Sequence, residues 1–351
     1  MTKRQSTGSD VARAAGVSKS AVSRAFTGGI VSEEARRKIM EAARILRYRP
    51  NYSARSLTTS RSHLIGLAIT SLDNQYYPLM VERLQQRLGL AGYRLVLFIT
   101  HGDADLDPML DELLGYRLDG VVLASSSHAA RVARECLEGG VPAVMLINVD
   151  PEGRLPGVCT DNAAGAQEIA AHLLSSGRRR LGLITGLDES SSGMERARGF
   201  AEKVGQHPDA HLLTECGYFT EEGAYRAARR LLERPEPVDA LFCVTDLMAL
   251  AALQAVRDLG LVPGCEVAVF GFDDAPIAKW GAFNLATYAS PLDAMVEEVV
   301  RLLQEQIAGE AGGQGTVRLK GHLVLRDSGG GNARPGARGG GQRPATKATR
   351  S

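Results

Sequence analysis

The 351-residue chain contains no run of 18 apolar residues, so no segment reads as a helix that crosses a membrane. Behind Met1-Thr2-Lys3-Arg4-Gln5-Ser6 comes a polar segment with no apolar stretch after it, so no secretory signal is expected and the expected compartment is the cytoplasm. Cysteine is sparse. Cys136, Cys159, Cys216, Cys243 and Cys265 lie far apart with no CxxC pair, and their odd number argues against a disulfide framework. They are expected to be small buried hydrophobes. The seven histidines are scattered; His207 and His211 have an i, i+4 spacing, but Pro208 between them breaks the helix that would align them. No HExxH occurs, no GxGxxG follows a strand pattern, and neither GxxxxGK(S/T) nor GxSxG is present. These absences point away from catalysis, and neither a metal nor a cofactor is expected.

What is present is an uneven distribution of charge. The net charge is only +1, yet residues 1–61 hold 13 Lys/Arg against four acids. The last 23 residues add five basic side chains and no acid, so the stretch between, 62–328, carries a net −13. A basic head on an acidic body is the electrostatic footprint of a nucleic-acid-binding module joined to one that binds something else. With 44% hydrophobic residues, the chain can bury the cores of two or three domains.

In the head, Ser9 is expected to cap a helix through Asp10–Ala15, and Gly16 to stop it. Ser18 caps a second helix, Lys19 to Thr27, which Gly28-Gly29 ends; Ser32 caps a third, from Glu33 to about Arg47. Val11, Ala14, Ala15, Val17, Val22 and Phe26 have the spacing of a shared core, with Ala35, Ile39, Ala42, Ala43 and Leu46 as the stripe of the third helix. Ser20, Ser23, Arg24 and Thr27 face outward on the second helix, with Lys19 at its start and no acid among them. Three short helices with a glycine turn between the first two describe a helix-turn-helix, whose second helix is shaped to enter the major groove.

The run Asp10-Val11-Ala12-Arg13-Ala14-Ala15-Gly16-Val17-Ser18-Lys19-Ser20-Ala21-Val22-Ser23-Arg24 resembles the signature of the lactose/galactose repressor (LacI/GalR) family. So does Tyr48-Arg49-Pro50-Asn51-Tyr52-Ser53-Ala54-Arg55-Ser56-Leu57. Ala21 stands where the family usually has threonine. The resemblance implies an all-α helix-turn-helix DNA-binding domain over residues 1–48 and a hinge helix or linker over 49–61. It implies a sequence-specific transcription regulator, a repressor, controlled by a small-molecule effector such as a sugar. By the same resemblance Ser18, Lys19, Ser20, Ser23 and Arg24 contact DNA, with Lys19, Ser20 and Arg24 on major-groove bases. Asn51, Ala54, Arg55 and Leu57 belong to a hinge helix that folds on the minor groove, where Leu57 wedges between base steps. Physics agrees: an apolar wedge offsets unstacking by the contacts a bend allows, and a helix well under about 12 residues is not stable alone. The resemblance also implies a homodimer on palindromic double-stranded operator DNA.

From residue 62 to 328, apolar runs of strand length alternate with helical segments. Strands are expected at 64–70, 94–100, 120–124, 143–147, 157–160, 181–186, 213–219, 240–245 and 266–273. Helices are expected at 77–91, 162–176, 194–205, 221–233, 247–259 and 292–308, among others. Continuous apolar strands separated by helices indicate parallel sheets covered on both faces, and so many strands suit two doubly wound sheets better than one. The pattern resembles the α/β periplasmic-binding-protein-like effector domain of the same family. That implies an N-subdomain of about 62–160 and 292–320, a C-subdomain of about 161–288 and 321–328, and a ligand cleft between them.

By resemblance the ligand-binding residues are Tyr76, Tyr77, Ser190, Ser192, Arg196, Phe219, Thr245, Asp246 and Asp273. Phe219 is the stacking aromatic, and Asp273 of Gly271-Phe272-Asp273-Asp274 accepts ligand hydroxyls. Thr245 replaces the usual asparagine, and Asn284, Ala286 and Ser290 replace proline, threonine and glutamine. An arginine facing an aspartate beside an aromatic wall suits a polyhydroxylated or planar polar molecule. A periplasmic-type solute-binding protein would share this body; the basic head separates the two readings. Residues 329–351, rich in glycine and basic side chains, are expected to form a disordered tail.

Overall fold

The computed structural model describes residues 6–26, 29–49, 61–99, 106–124, 129–310, 313 and 315–330. The chain divides into two units, residues 1–62 and 63–351. The expected hinge residues Asn51, Ala54, Arg55 and Leu57, and nearly all of the expected tail, lie outside the described residues.

The first unit consists of α1 (Gly8–Ala15), α2 (Lys19–Phe26) and α3 (Glu33–Ile45). Helix α1 starts earlier than expected, capped by Thr7 and not by Ser9. The Thr7 hydroxyl accepts from the Asp10 amide (3.3 Å), and the Asp10 carboxylate accepts from the Thr7 amide (2.9 Å). This reciprocal box satisfies two end groups at once, where Ser9 would satisfy one. Gly16, at φ 67°, stops the helix in the left-handed conformation that a side chain would disfavour. The core is formed by Val11, Ala12, Val22, Ala25, Ile39, Ala42 and Ala43. Ala14 is exposed, contrary to expectation, because positions 11, 12 and 15 share one face at 3.6 residues per turn and position 14 does not.

The second unit holds two parallel sheets. The first is built from β1 (Leu64–Ile69), β2 (Arg94–Ile99), β3 (Gly120–Leu123), β4 (Ala143–Leu146), β5 (Gly157–Thr160) and β11 (Thr316–Leu319). Its spatial order is β11-β5-β4-β3-β1-β2. Helices α4 (Tyr76–Leu90) and α11 (Leu292–Ala308) bury Met80, Leu84, Val296 and Val299 with Ile65 and Leu67 of the sheet. Helices α5 (Leu106–Gly115) and α6 (Ala129–Glu138) supply Leu113, Val132 and Cys136 to a separate cluster with Phe98 and Val121.

The second sheet has the order β7-β6-β8-β9, from β6 (Arg180–Thr185), β7 (His211–Cys216), β8 (Ala240–Cys243) and β9 (Ala268–Phe270). Around it α7 (Asn162–Ser175) packs on α8 (Ser191–Gly205), and α9 (Glu221–Leu232) on α10 (Asp246–Asp258). A short antiparallel pair, β10 (Thr287–Ala289) with β12 (His322–Val324), lies against α7. The chain therefore passes between the two sheets three times: after β5, between β10 and α11, and between β11 and β12.

Two expectations are corrected. The strand expected at 213–219 is β7, His211–Cys216; it ends at Gly217, and Tyr218 and Phe219 turn at φ 58° and 56°. Cys136, Cys159 and Cys243 are buried, but Cys216 is half-buried and Cys265 is exposed. Cys265 sits in a turn whose carbonyls at Gly264 and Cys265 accept from the Arg178 guanidinium (2.8 and 2.9 Å), with its side chain left in solvent.

Candidate functional site

In the first unit, Lys19, Ser20, Ser23 and Arg24 are exposed on α2, as the helical period requires once Val22 and Ala25 turn inward. The Ser18 hydroxyl accepts from the Ala21 amide (3.1 Å) and bonds the Ser20 hydroxyl (2.9 Å), so Ser18 caps the helix while also lying on the exposed face. At the other end Arg36 of α3 donates to the Ala25 carbonyl (2.7 Å) and the Gly29 carbonyl (3.1 Å). A cation on the unpaired carbonyls of a helix C-terminus is favourable and fixes where α2 ends. Sequence reasoning missed Arg36, because its partners lie a helix away. The surface that α2 presents can donate to phosphates and base edges, and no acid opposes it.

In the second unit, the segments that leave the C-terminal ends of strands in both sheets converge on a cavity of about 240 Å³. This is where open α/β sheets hold ligands. Tyr76, Tyr77, Ser190, Ser192, Arg196, Phe219, Thr245 and Asp273 all line it. Asp246 does not. Its carboxylate is fully buried and accepts from the Thr287 hydroxyl (2.6 Å) and the Ala275 amide (2.7 Å), so it secures the loop behind Asp273. Burial, together with the nearby Asp273 charge, pushes the Asp246 carboxyl well above the ordinary range.

The charged centre of the cavity is Arg196 with Asp273, joined at 3.0 Å with each side chain 4% exposed. Arg196 also donates to the Asn162 side-chain oxygen (2.9 Å) and the Val244 carbonyl (2.8 Å), and its guanidinium lies 3.8 Å over the Phe272 ring. Asn162 in turn donates to Glu195 (3.2 Å), which takes a two-pronged bond from Arg318 of β11. The arginine is thus held from several sides, and Arg318 of the other sheet is linked to it through Glu195 and Asn162. Burial raises the Asp273 carboxyl to about 6, with Arg196 opposing that rise. Asp273 has φ 119°, a strained backbone for a residue with a side chain. Burial also pushes the Tyr77 phenol up to about 12 and raises that of Tyr76, so both stay protonated as hydroxyl donors.

Phe219 forms the apolar wall, and two glycines make room for it. A Cβ on Gly186 would overlap the ring, and one on Gly193 would come within 2.9 Å. Beside it the Asn148 side-chain oxygen accepts from the Ser190 hydroxyl (3.0 Å), the Ser192 hydroxyl (3.1 Å) and the Ser192 amide (3.2 Å). Asn148 follows β4 of the first sheet and the serines begin α8 of the second, so these bonds join the two walls. Asp73 and Asn74, in the segment Asp73-Asn74-Gln75-Tyr76-Tyr77 that resembles the family's loop after the first strand, also line the cavity, whereas sequence reasoning missed Asn148, Asn162, Gly186 and Gly193. The roles of these four follow from partners brought together by the fold, and no local pattern marks them.

Residues 8–51 match the model of the bacterial regulatory proteins of the lacI family, and residues 170–329 match a periplasmic binding protein-like domain. The chain is 32% identical over 331 residues to the HTH-type transcriptional regulator CelR of Thermobifida fusca, covering 91% of this chain and 97% of that one. The chain belongs to the LacI family. Among solved structures of LacI-family proteins, the fold resembles that of a transcriptional regulator CelR–cellobiose complex, with a TM-score of 0.71 at 30% identity over 92% of this chain and 100% of that one. It also resembles the Lac repressor dimer bound to operator and the anti-inducer ONPF, with a TM-score of 0.83 at 25% identity over 93% and 99% of the two chains. The LacI-family match begins at the first residue of α1 and contains all three head helices.

Proposed function

We propose that the protein is a sequence-specific DNA-binding transcription regulator, a repressor, whose hold on its operator is set by a small effector such as a sugar. The observation that carries this reading is the exposed, acid-free face of α2 in the same chain as a lined cavity. Ser18, Lys19, Ser20, Ser23 and Arg24 meet the DNA, and Arg24 offers the planar fork that pairs with guanine. Tyr76, Tyr77, Ser190, Ser192, Arg196, Phe219, Thr245 and Asp273 hold the effector. The relatives support this: one is a regulator in complex with cellobiose, another a repressor dimer bound to operator. A homodimer on a palindromic site, a cytoplasmic location and the absence of catalysis belong to the same reading, with Asn51, Ala54, Arg55 and Leu57 proposed as the minor-groove contacts.

Binding-site selection from random double-stranded DNA with the purified chain tests it. The expected result is a consensus with two-fold symmetry, whose affinity falls steeply with salt. Recovery of unrelated sequences with no shared half-site would overturn the proposal.

A further inference from the structure

The cavity's one described cation is already paired within the chain. Arg196 is the one cation among the described residues that line it, and its guanidinium is bonded to Asp273, Asn162 and the Val244 carbonyl. Helix N-termini are the other positive features, since their unpaired amides and dipole attract anions. Each one that meets the cavity already has a side-chain acceptor on at least one of its amides. Ser190 caps the Gly193 amide of α8 (3.2 Å) and Asn148 takes the Ser192 amide. Thr220 caps the Gly223 amide of α9 (3.0 Å), Thr245 the Met248 amide of α10 (3.4 Å), and Asn74 the Tyr76 amide of α4 (3.1 Å). Two carboxylates, Asp73 and Asp273, stand against this on the lining.

What the lining does offer is hydroxyl chemistry. Tyr76, 3% exposed, lines the site with its hydroxyl buried behind the surface of the cavity. Ser and Thr hydroxyls around it both donate and accept, as sugar hydroxyls do, and Phe219 presents a flat apolar wall. The volume, about 240 Å³, lies below the roughly 300 Å³ at which pockets for drug-sized ligands begin.

We propose that the cleft selects an uncharged, single-ring polyol, a neutral monosaccharide, and rejects its phosphorylated and carboxylated forms and two-ring sugars. This rests on the regulator reading above and adds to it a charge rule and a size rule. An anion would enter a site whose arginine is already bonded and whose helix ends are each already capped in part, and would meet Asp73 and Asp273. A second ring would have to extend beyond this volume.

Calorimetric titration and thermal shift of the full chain test the rules with named probes. These are D-glucose, D-galactose, D-ribose and D-xylose; D-glucose 6-phosphate, D-ribose 5-phosphate, D-glucuronate and D-galacturonate; and cellobiose and maltose. At least one neutral monosaccharide is expected to bind. Its anionic counterpart and both disaccharides should bind at least tenfold more weakly. In Asp73→Asn, on an exposed part of the lining, the penalty against the anionic counterpart should shrink at least threefold. A stronger response to an anionic or two-ring sugar, no binding by any neutral monosaccharide in the panel, or an unchanged penalty in Asp73→Asn overturns the proposal. DNA selection separates the two readings: a symmetric consensus without monosaccharide binding leaves the regulator standing, whereas monosaccharide binding without DNA selectivity leaves the cleft rule standing.

Discussion

At the scale of single residues, environment decides role. Asp246 and Asp273 lie at the same end of one sheet, yet one braces a loop and the other lines a cavity. Their positions in the chain were legible from family resemblance; their different duties were not, because burial and partners are properties of the fold. Asp273 has a further consequence. Its folded value of about 6 lies above the ordinary 3.8, so the folded chain retains a proton that the unfolded chain has released. The native state is therefore favoured by this group at acid pH and loses that advantage as pH rises through about 6. Asp273→Asn removes the titration. Its stability relative to the parent should rise between pH 4 and 6 and stay level above, as measured by denaturant unfolding at each pH. Arg24 acts at the same scale. Arg24→Ala should cost about 1–3 kcal/mol of discrimination at one base pair, read from competition between the selected operator and its single-base variants.

At the scale of elements, the strong periodic signals placed helices and strands well, and ends were misjudged wherever a tertiary or reciprocal bond set them. Helix α11 was expected at 292–308 and is Leu292–Ala308. Helix α1 was misplaced because the Thr7–Asp10 box outcompetes the nearer Ser9. The strand before Phe219 ran too far because apolar character continues after the ladder has stopped. Thr7→Ala should lose about 1 kcal/mol of local stability in the first unit, seen as faster hydrogen exchange of the α1 and α3 amides. Helices α7 and α8 touch through Gly199, where a Cβ would lie 2.8 Å from the Ala163 Cα. Gly199→Ala should therefore force the two helices apart and lower the melting temperature of the second unit, because overpacking commonly costs about 1–3 kcal/mol.

At the scale of the whole molecule, alternation of apolar runs and helices was enough to read two doubly wound sheets. It was not enough to show how they are coupled. The Glu195–Arg318 bridge links α8 to β11, and Asn148 links β4 to the start of α8; none of these pairs is close in sequence. Arg318→Ala should lower stability by no more than about 1 kcal/mol, since the arginine is 42% exposed, and should weaken effector binding by loosening Arg196. Titration of the parent and the variant with the monosaccharide that binds checks this. The threefold passage between sheets also bears on how the protein is made. The four-stranded sheet draws all its strands from one stretch, 180–270, whereas the six-stranded sheet, begun at Leu64, waits for Thr316–Leu319 to supply its last edge. A chain emerging from the ribosome can thus finish its later sheet before its earlier one. The exposed rim of β5 would be open to chaperones, or to a neighbouring nascent chain, until Thr316–Leu319 has been made and paired.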